Sequence, residues 1–275
     1  MASSLEPGGL QPGRSAAFFD LDKTIIAKSS TLAFSKPFYA GGLISRGSVL
    51  RSSYAQFVYL VGGADHDQME KMRDFLSKLC AGWDVQTVRD IVADTLHNIV
   101  EPLVFDEAVS LIREHRAAGR DVIIVSASGS EVVEPIGEMM GADGVIATSM
   151  EIEDGKYTGQ IEFYAYGANK ATAIRELAER EGYDLERSFA YSDSVTDVHM
   201  LEIVGHPSAV NPDKELRRRA GLSGWPILAF SKPVTLRSRM RVPATRPTLA
   251  ALALSTAVAA GGAIYLGVRR RKGRS

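Results

Sequence analysis

The chain has 275 residues, 45% of them apolar and 24% charged, ordinary globular usage that excludes collagen-like and wholly disordered chains. That length can bury a core unaided, and a single cysteine, Cys80, excludes a disulfide framework and a cysteine-built zinc site. The net charge of −1 hides a division: residues 231–275 carry ten Lys or Arg and no acid, leaving residues 1–230 at −11, an acidic body with no electrostatic footprint for nucleic acid. Residues 1–14 (MASSLEPGGLQPGR) are rich in Gly, Pro and Ser and read as a loose arm. They lack the charged start and apolar run of a secretory signal, so export is not expected. Ala16 to Phe19 form a short buried-strand candidate that ends at Asp20.

From about Lys28 to Val104 the pattern is helical, with Leu50, Tyr54, Phe57 and Val58 at spacings of three and four. Glycines at 41, 42, 62, 63 and 82 divide it into several helices. After Pro102 helix and strand alternate. Asp106 to Ala118 predicts a helix stopped by Gly119, followed by the apolar strand Val122–Val125. A helix over Ser130 to Met140, a strand over Gly144 to Ala147 and a hairpin over Met150 to Ile161 come next, the hairpin turning at Asp154-Gly155. Ala168 to Arg180 is a helix stopping near Gly182, and Arg187 to Tyr191 is a strand. Such alternation predicts an α/β fold, a Rossmann-like parallel sheet with helices on both faces.

Leu249 to Val268 is a run of twenty residues without a charge, enough to cross a ~30 Å hydrocarbon layer. Apolar character all round and basic residues at both ends favour a membrane span over a core helix. Ala259, Ala263 and Gly267 make a small-residue face on which two such helices could pair into a homodimer. Five basic residues lie on each side of the span, so charge bias gives no direction; without an export signal, the body is expected in the cytoplasm. The chain thus divides into an arm (1–14), a core (15–27 and 105–230), a helical insertion (28–104), a basic linker (231–247), a transmembrane helix (248–268) and a basic tail (269–275).

Four pieces fall at predicted strand ends. The first, Asp20-Leu21-Asp22-Lys23-Thr24, sets two carboxylates two residues apart where open α/β sheets bind ligands, although a solvated turn would read the same. Ser126 closes the apolar strand at 122–125, as a helix-capping serine also would. Lys170 opens a helix. Asp193 and Asp197 sit four apart across a strand-to-helix turn, a spacing shared with an ordinary N-cap and first-turn acid.

In order, these pieces resemble the four motifs of the haloacid dehalogenase superfamily, D-x-D-x-T, Ser, Lys and D-S-x-x-D, over about residues 15–230. Within it the chain looks most like the phosphoserine-phosphatase-like branch, subclass IB, which inserts a helical C1-type cap where residues 28–104 lie. The resemblance implies a Mg²⁺-dependent phosphatase. Asp20 would be the nucleophile, forming a covalent aspartyl-phosphate, and Asp22 the general acid and base. Asp20, Asp193 and the backbone carbonyl of Asp22 would hold Mg²⁺, with Asp197 supporting its water shell. Ser126 and Lys170 would bind the phosphate, and Thr24 would fix the first loop.

Three positions depart from that branch: Lys23 replaces a Ser, Ala127-Ser128 replaces two glycines, and Ser192 replaces the Gly before Asp193. The added bulk after Ser126 argues against L-phosphoserine as substrate. No P-loop and no strand-borne G-x-G-x-x-G is present. Asp65-His66-Asp67 reads as an exposed loop, Trp83 and Trp225 as packing residues, and Arg46, Arg51 and Tyr54 as residues within reach of substrate. The expected partner is a small-molecule or lipid phosphomonoester, the latter favoured by a membrane tether. Phosphoryl transfer to another acceptor, and a non-catalytic membrane adaptor on the same fold, are the alternatives.

Overall fold

The computed structural model describes residues 13–44, 74 and 77–231. The described residues all belong to one compact unit. The predicted span at 249–268, the loop at 65–67, and Arg46, Arg51 and Tyr54 lie outside the described residues. Among the described residues, no helix is long and apolar enough to cross a membrane.

Seven strands form one sheet in the order β4-β3-β2-β1-β5-β6-β7. They are β1 (Ala16–Asp20), β2 (Asp121–Gly129), β3 (Gly144–Glu153), β4 (Lys156–Phe163), β5 (Phe189–Ser192), β6 (His206–Val210) and β7 (Ile227–Leu228). All neighbours are parallel except β3 and β4. Central β1 reads AAFFD and is buried along its whole length, the unbroken apolar run that a parallel strand covered on both faces requires.

Its side chains alternate between two cores. Ala17 and Phe19 pack with Val109 and Ile112 of α4 (Asp106–Ala117) and Val133 and Ile136 of α5 (Ser130–Met140). Ala16 and Phe18 pack with Ile174 of α6 (Ala168–Glu181), Met200 and Leu201 of α7 (Val198–Glu202), and Leu216 and Ala220 of α8 (Lys214–Ser223). Helices therefore cover both faces, as the alternation predicts.

The insertion contributes α1 (Ser30–Ala33), α2 (Ser35–Ala40) and α3 (Val85–Ile99), with residues 77–80 also helical. Phe34, with Val92 and Leu96 of α3, joins the same apolar cluster as Phe19, so this limb packs continuously with the core. Phe38 lies against Trp83, ring centroids 5.9 Å apart, and Trp225 packs on the opposite core. The hairpin turns at Asp154 and Gly155, both at positive φ, as a tight Asp-Gly turn demands. Its backbone then grips the insertion: Gly82 N donates to Tyr157 O (2.8 Å), Tyr157 N to Trp83 O (3.1 Å) and Val85 N to Gly155 O (3.0 Å).

Two expectations change. The strand predicted at 144–147 and the first arm of the hairpin are one strand, β3, which pairs with β2 at its start and with β4 further on. The reading also stops short of β6, α8 and β7. His206–Val210 contains Pro207 and no alternation, and becomes a strand because β5 offers it a parallel edge.

Candidate active site

The sheet register gathers the predicted residues at one edge. Asp20 is paired with Val125, so Ser126 lies one residue beyond it; Phe19 is paired with Tyr191, so Ser192 and Asp193 follow alongside. After Asp20 the chain turns tightly, with Ile25 N (2.9 Å) and Ile26 N (3.1 Å) both donating to Leu21 O. Lys23, between the two catalytic candidates and Thr24, adopts φ +60°, a left-handed conformation uncommon for a side-chain-bearing residue.

Lys170 is the hub. Its ammonium, buried at the first turn of α6, donates to Asp20 Oδ1 at 2.7 Å and to Asp197 Oδ2 at 2.8 Å. Ser192 Oγ, fully buried, donates to the same Asp197 oxygen at 2.7 Å. Asp193 directly follows β5 at the same edge, with Lys23 Nζ 3.7 Å from its Oδ2. Burial opposes the Lys170 charge, but Asp197 and Asp20 outweigh it and hold the ammonium protonated above its ordinary range.

Carboxylates crowd this edge. Burial pushes Asp20 well above the usual carboxylate range; Lys170 counters it, while Asp197, Asp193 and Asp22 add to it. Burial lifts Asp193 to about 7, with Lys23 opposing and Asp197 and Asp213 assisting. Burial also raises Asp22, against the pull of the Ser30 N–H. Asp20, Asp22, Asp193 and Asp197 outnumber the ammonium groups of Lys23 and Lys170 that act on them. Among the described residues no three His, Cys, Asp or Glu side chains converge on one point. The resemblance would place a magnesium ion on Asp20, Asp193 and the Asp22 main-chain carbonyl, and carboxylate and carbonyl oxygens are the hard donors that ion takes.

The second-motif serine behaves differently from a helix cap. Ser126 is buried at the end of the apolar run of β2, and its Oγ accepts from Ser128 N at 3.2 Å. Ser128 Oγ lies 2.7 Å from Ser30 Oγ, and Ser30 N donates to Asp22 Oδ1 at 2.8 Å. The two predicted phosphate ligands reach the edge from different elements, Ser126 from β2 and Lys170 from α6. The Thr24 hydroxyl is buried with no hydrogen-bond partner among the described residues; Thr24 meets the first loop through a long backbone contact to Leu21 O (3.4 Å). Sequence reasoning missed Ser30 altogether and treated Ser192 and Lys23 only as departures; the departures were the available signal for the latter two. A cleft of about 600 Å³ between β3 and α6 contains none of these residues.

The haloacid dehalogenase-like hydrolase family matches residues 17–202. The chain is 62% identical over 262 residues to an inhibition of morphological differentiation protein of Streptomyces azureus, covering 94% of this chain and 95% of that one. It is 61% identical over 267 residues to a probable phosphatase of Mycobacterium tuberculosis, covering 96% and 93%. A phosphoserine phosphatase of the same organism is 34% identical over 94% of this chain and 82% of its own. Among solved structures, a Bordetella pertussis protein of unknown function aligns with a TM-score of 0.70 at 29% identity, covering 79% of this chain and 99% of that one. A phosphoserine phosphatase holding a phospho-aspartyl intermediate analogue shares the fold, with a TM-score of 0.60 at 20% identity over 84% and 99%.

Proposed function

The chain belongs to the haloacid dehalogenase-like hydrolases, and we propose that within that family it is a Mg²⁺-dependent phosphatase, hydrolysing a phosphomonoester through a covalent aspartyl-phosphate. One observation carries the reading: an ammonium buried between Asp20 and Asp197 at the carboxyl edge of a parallel sheet. A solvated turn or a helix cap has no use for such a buried bridge. The relatives named as phosphatases support it.

Asp20 holds one oxygen on Lys170 and has the other for attack on phosphorus. The new bond to the carboxylate forms as the phosphorus–oxygen bond to the leaving group breaks. Asp22, whose hold on a proton burial strengthens, would give that proton to the departing alkoxide, which leaves as an alcohol. The Asp22 carboxylate then takes a proton from the water that attacks phosphorus, releasing phosphate and restoring Asp20. Ser126 and Lys170 would hold the phosphate oxygens as charge shifts among them. A Mg²⁺ ion held by Asp20, Asp193 and the Asp22 carbonyl, with Asp197 behind them, would supply the positive charge that lets an anionic nucleophile meet an anionic ester.

A panel of phosphomonoesters with the full chain and Mg²⁺ tests this. Turnover by the wild type, lost in Asp20→Asn, is expected; no turnover of any ester overturns it. The tether belongs to the same proposal and rests on residues 231–275 of the sequence. It makes a lipid phosphate the favoured substrate within the phosphomonoesters; a cytoplasmic body is part of the same proposal, although the tether itself sets no direction. Extraction of the full chain from membranes should require detergent, and Ala260→Arg should release it; recovery in the aqueous fraction without detergent overturns the anchor.

A further inference from the structure

Four residues form one polar chain across the ends of β1 and β2. Asp22 Oδ1 accepts from Ser30 N, Ser30 Oγ meets Ser128 Oγ at 2.7 Å, and Ser128 N donates to Ser126 Oγ. We propose that the Ser30–Ser128 hydroxyl pair is a positioning clasp that aims Asp22 at the leaving-group oxygen; the proposal rests on the phosphatase reading above.

The physical argument begins with burial. Ser30 has no exposed surface, and a hydroxyl that deep needs a partner, which Ser128 provides. Ser30 opens α1, a helix of only four residues, too short to hold its own first N–H in one direction. The hydroxyl pair supplies that hold from outside the helix. Because the same N–H binds the general acid, a Ser30 that shifts takes Asp22 with it. At the other end Ser128 is tied to Ser126, so the acid and the phosphate-binding hydroxyl are registered against each other across two strands. A glycine at position 128 would have no hydroxyl to offer. The clasp also pins the first residue of α1 to the end of β2, 98 residues away in sequence. Its chemical consequence is selective: it governs delivery of a proton to the leaving oxygen and leaves the attack of Asp20 untouched.

The test is kcat/KM of the full chain with Mg²⁺ on two esters, glycerol 2-phosphate and p-nitrophenyl phosphate. This ratio reports steps up to departure of the leaving group. The alkoxide must be protonated to leave; the nitrophenolate leaves unaided. Ser128→Ala and Ser30→Ala should each lower the alkyl ester by about tenfold or more, with the aryl ester within about threefold. The double variant should be no worse than the poorer single one, since both remove one bond. Ser128→Thr, which keeps the hydroxyl, should restore the alkyl activity. Equal losses on both esters, or losses that multiply in the double variant, overturn the clasp. If Ser30→Ala does not fold, Ser128→Ala at its partly exposed position decides the matter alone. A wild type inactive on these two and on every other ester of the panel overturns the phosphatase reading and the clasp with it; an active wild type with equal losses removes the clasp alone.

Discussion

Phe19 and Asp20 are neighbours on β1, as Tyr191 and Ser192 are on β5, yet the two layers are built in opposite ways. At the edge, Asp20 and Asp197 close on the buried ammonium of Lys170, and Asp193 adds a third buried carboxylate. Directly beneath, Phe19 stacks on Tyr191 with centroids 4.5 Å apart, and His115 closes the layer with Nε2 2.8 Å from the Tyr191 hydroxyl. Arg120 Nε donates to His115 Nδ1 at 2.7 Å, which leaves the proton of a neutral ring on Nε2. The upper layer gathers like charges at a cost in stability; the lower layer is neutral and packed, and holds the strand ends in place. The proposed site thus lies where the fold is least comfortable, and the packed layer below keeps the strand ends from relaxing.

The sharpest way to break that contrast is at Asp20. Asp20→Asn should cut hydrolysis by about 10³-fold or more, since the covalent step is lost. It should also raise the urea midpoint in the absence of Mg²⁺, because one of the crowded carboxylates becomes neutral at constant volume. An activity loss accompanied by a lower midpoint would show that Asp20 supports the fold. Lys170→Met tests the converse. It leaves Asp20 and Asp197 facing each other without a cation, and breaking a buried pair from one side costs about 3–5 kcal/mol. Urea unfolding should show that loss; a change below ~1 kcal/mol would mean the edge does not depend on its ammonium.

The lower layer answers to pH. Burial, with Arg120 adding to it, lowers His115 to about 4, whereas an unfolded imidazole titrates near 6.5. Between these values the unfolded chain binds a proton that the folded chain refuses. The contribution of His115 is therefore complete above about pH 6.5 and is lost as pH falls toward 4, by up to ~3 kcal/mol. His115→Gln keeps neutral hydrogen-bonding groups and removes the titration, so its stability should fall less steeply than that of the wild type over that window. Parallel slopes would place the proton elsewhere.

What could be read beforehand follows from the range of each signal. The 3.6-residue period and a stop residue are local, so the predicted helix at 130–140 coincides with α5, and that at 106–118 overruns α4 by one residue. Each acid of the edge announced itself by following a strand, and the parallel register then brought these distant segments together. Strand β6 gave no local sign, because a short segment with Pro207 becomes a strand only through its neighbour. Ser30 was invisible for the same reason: its role depends on Asp22 and Ser128, 8 and 98 residues away, and a serine at a helix start is ordinary. Ser192 stood between these cases, visible as a departure but with its partner unreadable.

That residue offers the finest test of the two layers. Ser192 closes β5, one position above Tyr191, and joins the edge through its hydroxyl alone, which donates to Asp197 Oδ2 and accepts from Ser194 N at 3.2 Å. Ser192→Ala keeps the strand and the packing while removing one of two donors to a buried carboxylate. Lys170 still serves that oxygen, so the charge is not orphaned, and the expected loss is about 1–2 kcal/mol. Activity should fall by less than about tenfold, because Asp197 stands behind the reacting groups and keeps its stronger partner. A loss as large as that of Lys170→Met would mean that the hydroxyl and the ammonium act as one unit, and the edge would then be a single cooperative network.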